Sequence, residues 1–286
     1  MKQLLILSGK GGTGKTTTAA AFIAFAQARA FADCDVDAPN LHLISNFSTL
    51  PEIKPYLGGQ KAFIESAVCN GCGICLTHCR FDAIRRAGNG FVVDPIACEG
   101  CGVCTAVCPQ HAVRLHDDVA GEQSLYREDA VFSTACLKMG RGNSGKLVTE
   151  VKKTLVQNSM ADLAIIDGSP GIGCPVIASV SGVDMVLLVA EPSVSGLSDL
   201  MRIVQTCKGF GTKVAICVNK ANVSPENTES IRAFCAEDQI PFLGVIPYDN
   251  TVPQAINAGQ SVAAVDCPAR DALYEIFEKA VSMLDE

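Results

Sequence analysis

The sequence predicts an α/β protein: a doubly wound, mostly parallel sheet forms the body, and a smaller α+β segment is inserted into it. Three observations lead there. Strand-like apolar runs alternate with helical periodicity near the amino terminus and again from Ala130 onward, the pattern of parallel strands joined by crossover helices. A glycine-rich stretch, Ser8–Thr17 (SGKGGTGKTT), joins the first of these strands to the first helix. Between the two α/β stretches, eight of the fifteen cysteines recur at one repeated spacing. The expected organisation is a discontinuous body of residues 1–58 and 119–286 around an insert of residues 59–118.

The first strand is the apolar run Leu4–Leu7 and the first helix spans Thr17–Ala28. Between them Gly9, four further residues, then Gly14, Lys15 and Thr16 make the phosphate-binding loop pattern in the context that the pattern needs. Gly9, Gly11, Gly12 and Gly14 let the backbone curl around Thr13 with its N–H groups inward, so a polyphosphate can rest on them and on the helix start at Thr17. Lys15 suits the outer phosphates, and the Thr16 hydroxyl suits Mg2+. A short strand, Ala30–Ala32, leads into Asp33-Cys34-Asp35-Val36-Asp37. Carboxylates at the carboxyl end of a strand beside a phosphate loop are where a water-orienting or Mg2+-linked group is needed.

Pro51, Pro55 and Gly58-Gly59 mark the boundary of the insert. Beyond it Cys69, Cys72, Cys75 and Cys79 recur as Cys98, Cys101, Cys104 and Cys108, with Gly71, Gly73 and Ala83 recurring as Gly100, Gly102 and Ala112. Two copies of CxxCxxCxxxC are the bacterial ferredoxin pattern, which holds two [4Fe-4S] clusters and in which the fourth cysteine of each run ligates the other cluster. That groups Cys69, Cys72, Cys75 and Cys108 as one set and Cys98, Cys101, Cys104 and Cys79 as the other. Paired zinc sites also use CxxC, but seldom a third cysteine this close or a duplicated run. One departure is that Cys108 precedes Pro109, as in ferredoxins, whereas Cys79 precedes Arg80.

From Ala130 the strands and helices resume. Asn143-Ser144-Gly145-Lys146 is expected to cap a helix carrying Leu147, Val151 and Leu155 on one face. Leu163–Asp167 is a buried strand ending in an acid, followed by Gly168-Ser169-Pro170-Gly171. Asp167 thus has the position of the Walker B acid, acting on Mg2+, and Gly171 can offer its N–H to the γ-phosphate. Further strands are Met185–Ala190, Val214–Val218 and Leu243–Ile246, and a final helix runs from about Pro268 to Leu284.

The KGGTGKTT loop, with its early Lys10, resembles the deviant Walker A motif of the superfamily of MinD, ParA, Mrp and the nitrogenase iron protein. With DCDVDAPN, the cysteine insert, DGSPGIGCP and VNK, essentially the whole chain resembles the ferredoxin-containing MinD/Mrp-type ATPases. The resemblance implies ATP and Mg2+ as ligands and a nucleotide-dependent homodimer in which Lys10 reaches the partner's nucleotide. It also implies that Asp35 orients the attacking water and that Asp33 supports the Mg2+ shell. Asn219-Lys220 and Pro247-Tyr248-Asp249 become the adenine-side contacts. In the nitrogenase iron protein, cysteines in places comparable to Cys136 and Cys174 bridge a cluster between subunits, which implies a possible shared metal site here. Two functions follow: ATP-gated electron transfer from the clusters to an unidentified acceptor protein, or an ATP-dependent scaffold for assembling iron–sulfur or other metal clusters.

Composition narrows the setting. A net charge of −7 without a Lys/Arg cluster argues against nucleic acid. No apolar run approaches the roughly 18 residues of a membrane span, and the polar face of the last helix is mostly acidic, which disfavours anionic lipid. Fifteen cysteines without a secretion signal read as metal ligands and core thiols of a cytoplasmic protein.

Overall fold

The computed structural model describes residues 1–45 and 47–286. In chain order the elements begin with β1 (Lys2–Leu7), α1 (Lys15–Phe25), β2 (Ala30–Asp33) and β3 (Glu52–Ile64). Next come α2 (Ile74–His78), β4 (Ile84–Ala87), β5 (Gly90–Val93), α3 (Val103–Val107), β6 (Val113–Arg127) and β7 (Val131–Leu137). The remainder comprises α4 (Ser144–Asn158), β8 (Leu163–Asp167), α5 (Cys174–Val180), β9 (Met185–Ala190), α6 (Val194–Gly209), β10 (Lys213–Asn219), α7 (Pro225–Glu237), β11 (Phe242–Ile246), α8 (Thr251–Asn257) and α9 (Pro268–Asp285). They fall into two compact units, Met1–Ile53 with Gln123–Cys136 and Ser144–Glu286, and Lys54–Glu122 with Leu137–Asn143.

In the larger unit the strand order is β11-β10-β9-β1-β8-β2-β7, and the neighbours run parallel. A sheet covered by helices on both faces needs strands that are apolar throughout, and Leu4–Leu7 and Met185–Val189 are almost wholly buried. The chain passes from β1 to β2 on one side and has β9 on the other, so the sheet switches direction beside β1 and its carboxyl end is the natural crevice. Register then sets the acids: Ile6 lies opposite Asp167, and Asp167 opposite Asp33. The stripe on α9 is core, with Leu273, Ile276, Ala280 and Leu284 packed with Phe22 of α1. Among the described residues no helix is long and apolar enough to cross a membrane.

In the smaller unit β3 and β6 are neighbours and β4 pairs antiparallel with β5. Its core is small: Ala62, Ile64, Ala83, Ile84, Phe91 and Val113 bury together with Cys75 and Cys98, while Cys69, Cys79, Cys104 and Cys108 pack against them. The unit is wider than residues 59–118, because β3 and β6 are long strands that run through the expected boundaries. Pro55 and Gly58 lie within β3 and not in a linker, as an edge strand tolerates. Asn143 directly precedes α4, which starts at Ser144, and its side-chain amide donates to Gly58 O at 2.5 Å within the smaller unit.

Candidate functional site

At the carboxyl end of β1 the loop is tied down before any ligand arrives. Gly14 has φ +94°, and a Cβ there would sit 2.1 Å from Asn219 Nδ2. That close approach exists because the Asn219 amide donates to Thr13 O at 2.7 Å. Gly9 is needed for packing, since its Cβ would meet Asp199 Cβ at 2.4 Å. Gly11 and Gly12 have open space around them, Gly12 with φ +79°. Thr13 is buried with an unpartnered Oγ1, and Thr17 borders the cavity described below.

Lys15 and Asp167 form an ion pair with 6% and 0% of their side chains exposed. Thr16 Oγ1 donates to the other oxygen, Asp167 Oδ2, at 2.6 Å. Asp33 is fully buried and accepts from the N–H groups of Asp35 (2.9 Å), Asn40 (2.9 Å) and Leu41 (3.0 Å). It therefore shapes the loop that presents Asp35. Burial, reinforced by the negative charge of Asp167, pushes the Asp33 carboxyl up to about 7. Half-buried Asp35 is also raised, by burial first, and Asp37 is exposed. Two buried carboxylates and a hydroxyl around one ammonium are a donor set that would suit a divalent cation, which Thr16, Asp33 and Asp167 would hold.

Lys10 Nζ lies 2.7 Å from Glu191 Oε2 and 3.3 Å from Ser193 Oγ within the same protomer. Lys220 Nζ shares Glu191, at 3.2 Å from Oε1, and donates to Gly12 O at 3.0 Å. The two ammonium groups, Lys10 foremost, hold the Glu191 carboxyl below its usual range. Glu191 was not singled out from sequence, although an acid just past a buried strand is the same signal that marked Asp167. Gly171, φ +97°, donates its N–H to Ser8 O at 3.0 Å, so this group now points at the loop backbone and must leave it to meet a phosphate.

A cavity of ≈ 260 Å3 adjoins the loop, with Gly12, Gly14 and Thr17 on one wall and Asn219, Lys220 and Pro247 on another. Ile246, Tyr248, Val252, Ile256 and Leu273 make it apolar, suited to a flat ring system. Tyr248, within the expected Pro247-Tyr248-Asp249 stretch, lines it and is held by its backbone N–H to Asn222 Oδ1 at 2.6 Å. Asp249 borders the cavity too, but its Oδ1 accepts from Thr251 N at 2.8 Å at the start of α8, and that bond lowers its pKa.

In the smaller unit the two cysteine runs share one backbone design. Gly71, Gly73 and Asp82 have positive φ, as do their counterparts Gly100, Gly102 and His111. A small cavity is lined by Cys79, Cys98, Cys101 and Cys104 together. Burial raises the Cys75 thiol, and the nearby Cys108, Cys69 and Cys104 add to the rise; Cys72 is exposed. Backbone N–H groups of Ala62 and Gly100 reach Cys98 Sγ at 3.4 Å each, and that of Ala112 reaches Cys108 Sγ at 3.3 Å. Among the described residues no three His, Cys, Asp or Glu side chains converge tightly enough to hold a single metal ion. A cubane separates its thiolates further, with four irons and four sulfides among them, and N–H donors aimed at sulfur suit its charge. Of the seven cysteines outside the runs, Cys34, Cys207, Cys217, Cys235 and Cys267 are buried, whereas Cys136, on β7, and Cys174, opening α5, are exposed.

The family described as the CobQ/CobB/MinD/ParA nucleotide binding domain matches residues 4–262. The uncharacterized protein MJ0578 of Methanocaldococcus jannaschii is 30% identical over 97% of this chain and 95% of its own length. A "Cytosolic Fe-S cluster assembly factor Nubp1 homolog" of Drosophila pseudoobscura pseudoobscura is 27% identical over 42% of this chain and 45% of its own. Among solved structures, the septum site-determining protein MinD of Pyrococcus horikoshii OT3, complexed with Mg-ADP, superposes with a TM-score of 0.59. It is 18% identical and covers 99% of this chain and 96% of that one, a likeness of fold.

Proposed function

The chain belongs to the CobQ/CobB/MinD/ParA nucleotide binding domain family, and from that premise we propose that it hydrolyses MgATP as a nucleotide-dependent homodimer whose smaller unit, a ferredoxin-like insert, carries two [4Fe-4S] clusters. The observation that carries the nucleotide half is the buried meeting of Lys15, Thr16 and Asp167 next to Asp33. Lys15 holds the outer phosphates, Thr16 ligates Mg2+, Asp33 and Asp167 fix its water shell, and Asp35 orients the attacking water. Lys10 leaves Glu191 to meet charge developing on the partner's γ-phosphate. Asn219 uses its second amide N–H toward adenine while Tyr248 and Pro247 flank the ring. In the insert, Cys69, Cys72, Cys75 and Cys108 hold one cluster and Cys98, Cys101, Cys104 and Cys79 the other; when bound, these groups supply one-electron chemistry.

We assign the output as electron transfer to a protein acceptor, gated by dimer closure in the cytoplasm, because two complete four-cysteine sets leave no iron position open for donation. A second reading, ATP-dependent assembly of clusters on client proteins, is favoured by the partial similarity to the Nubp1 homologue. Protein purified without oxygen and labelled with radioactive iron separates them. Electron transfer predicts that, in protein first reduced with dithionite and then desalted, label stays on the chain through ATP turnover while a dye acceptor takes up the clusters' electrons. Label leaving with ATP for an apo-protein client overturns it in favour of assembly.

A further inference from the structure

The two cysteine runs are repeats, and each is met at its first glycine by backbone from outside the run, the turn between β4 and β5 at one and β3 at the other. A Cβ on Gly71 would strike Asn89 O at 2.4 Å, and a Cβ on its counterpart Gly100 would strike Gln60 O at 1.9 Å. Asn89 and Gln60 therefore occupy equivalent places, and the residues that follow them, Gly90 and Lys61, are equivalent as well. A side chain at Gly90 would begin 3.5 Å from Cys69 Sγ. At the second run that place is filled: the Lys61 ammonium donates to the Cys98 carbonyl oxygen, and the next residue, Ala62, donates its N–H to Cys98 Sγ at 3.4 Å. The repeat thus breaks its symmetry at one position, a half-buried cation at one run and no side chain at the other.

We propose that Lys61 makes the site of Cys79, Cys98, Cys101 and Cys104 the more readily reduced of the two. The inference rests on the two-cluster reading above. A reduced cluster carries one more negative charge than an oxidised one, so a nearby cation lowers the energy of the reduced form and raises its potential. Cys98 strengthens the bias, because its sulfur accepts two backbone N–H groups where the first set has the one from Ala112 to Cys108. Other charged groups also lie near this site, Asp94 among them through its hydrogen bond from Ala97 N–H. Arg80, next to Cys79, and Glu99, which lines the same cavity, are both exposed, and water and salt screen them. Lys61 is anchored by its hydrogen bond and partly shielded, so its field persists. The Cys98 set is then where an electron rests, and the Cys69 set is the stronger reductant.

The test uses the full chain reconstituted anaerobically with iron and sulfide, with dithionite or an electrode as the source of electrons. Lys61→Gln, Lys61→Arg and Gly90→Lys are compared with wild type by iron and sulfide counts, EPR and film voltammetry. A Cβ at Gly90 meets only ordinary contacts, so the reciprocal change tests the field without crowding. The expected result is unchanged iron in all four proteins, the higher potential shifted down in Lys61→Gln and retained in Lys61→Arg, and the lower potential shifted up in Gly90→Lys. Full clusters with both potentials unmoved in Lys61→Gln and Gly90→Lys overturn the inference alone. A wild-type chain that takes up no iron overturns the two-cluster reading and this inference with it.

Discussion

The phosphate loop of the larger unit and the cysteine loops of the smaller one both depend on left-handed glycines, yet they rest on very different foundations. Around the phosphate loop, the core cluster that joins β1, α1 and α9 has twenty buried residues among those described; Ile246, Ala269 and Leu273 also line the cavity, and none is a phosphate-loop residue or one of the buried acids. In the smaller unit the core cluster has eight, and two of those are Cys75 and Cys98. The first site lies on a sheet with a large apolar core; in the second, cysteines of the repeated runs are themselves part of a small one. Small units with little apolar surface commonly lean on metal or disulfides for stability. The two regions should therefore respond differently when their ligands are removed.

The largest expected effect is on the smaller unit. Stripping iron from anaerobic protein should abolish amide exchange protection across Lys54–Glu122 while the strands of the larger unit keep theirs, because metal binding there is folding free energy. Gly100→Ala should act similarly at one run, its Cβ lying 1.9 Å from Gln60 O at φ +64°, with loss of about four of roughly eight irons per chain. Protection that survives iron removal would erase the contrast between the units.

The larger unit should lose activity without losing its fold. Lys10→Ala is expected to bind MgATP much as wild type does and to turn over about 10³-fold more slowly, the lower end of the contribution of a cation supplied in trans. Steady-state hydrolysis at wild-type rate would remove Lys10 from the mechanism. Lys15→Ala should abolish nucleotide binding and lower stability by about 3 kcal/mol, because it strands the buried Asp167 charge. Calorimetric titration with MgATP and denaturant melts of the apo-protein check both halves.

What could be read from the sequence follows the same division. Lys15 and Thr16 were legible in the phosphate-loop pattern that opens α1, and Asp33 and Asp167 as acids at the ends of strands that the sheet register sets side by side. Glu191 was missed because its partners, Lys10 and Lys220, are far away in the chain. The insert boundaries were misplaced because Pro55 and Gly58, ordinary turn residues, lie inside an edge strand. Residues 137–143 belong to the smaller unit although a whole strand separates them from the insert, a return that no local pattern announces. The difference between Lys61 and Gly90 drew no notice because neither lies in the cysteine motif itself; the repeat's 29-residue offset, Cys69 to Cys98, aligns them, and the contacts at Gly71 and Gly100 show that the alignment holds in space.

The smallest effect is the most specific to the larger site. Burial, with the neighbouring Asp167 charge, pushes the Asp33 carboxyl up to about 7 from the ordinary carboxylate range, so the native state binds a proton more tightly than the unfolded one does. Its contribution to stability is then complete below about pH 4 and is lost as pH rises through about 7. Apo-protein should thus gain stability from this group on going from pH 8 to pH 5.5, opposite to the usual behaviour of a salt-bridged carboxylate. Asp33→Asn removes the titration and should flatten the curve over that range. The asparagine oxygen can still accept from Asn40 and Leu41, while its amide faces the Asp35 N–H and costs stability equally at every pH, so the slope is the readout and not the height. Saturating MgADP should flatten the wild-type curve in the same way, since a divalent cation beside Asp33 and Asp167 favours both carboxylates ionised. Parallel pH profiles for wild type and Asp33→Asn would mean that the Asp33 proton is not held there, and that the buried acids are already balanced before nucleotide binds.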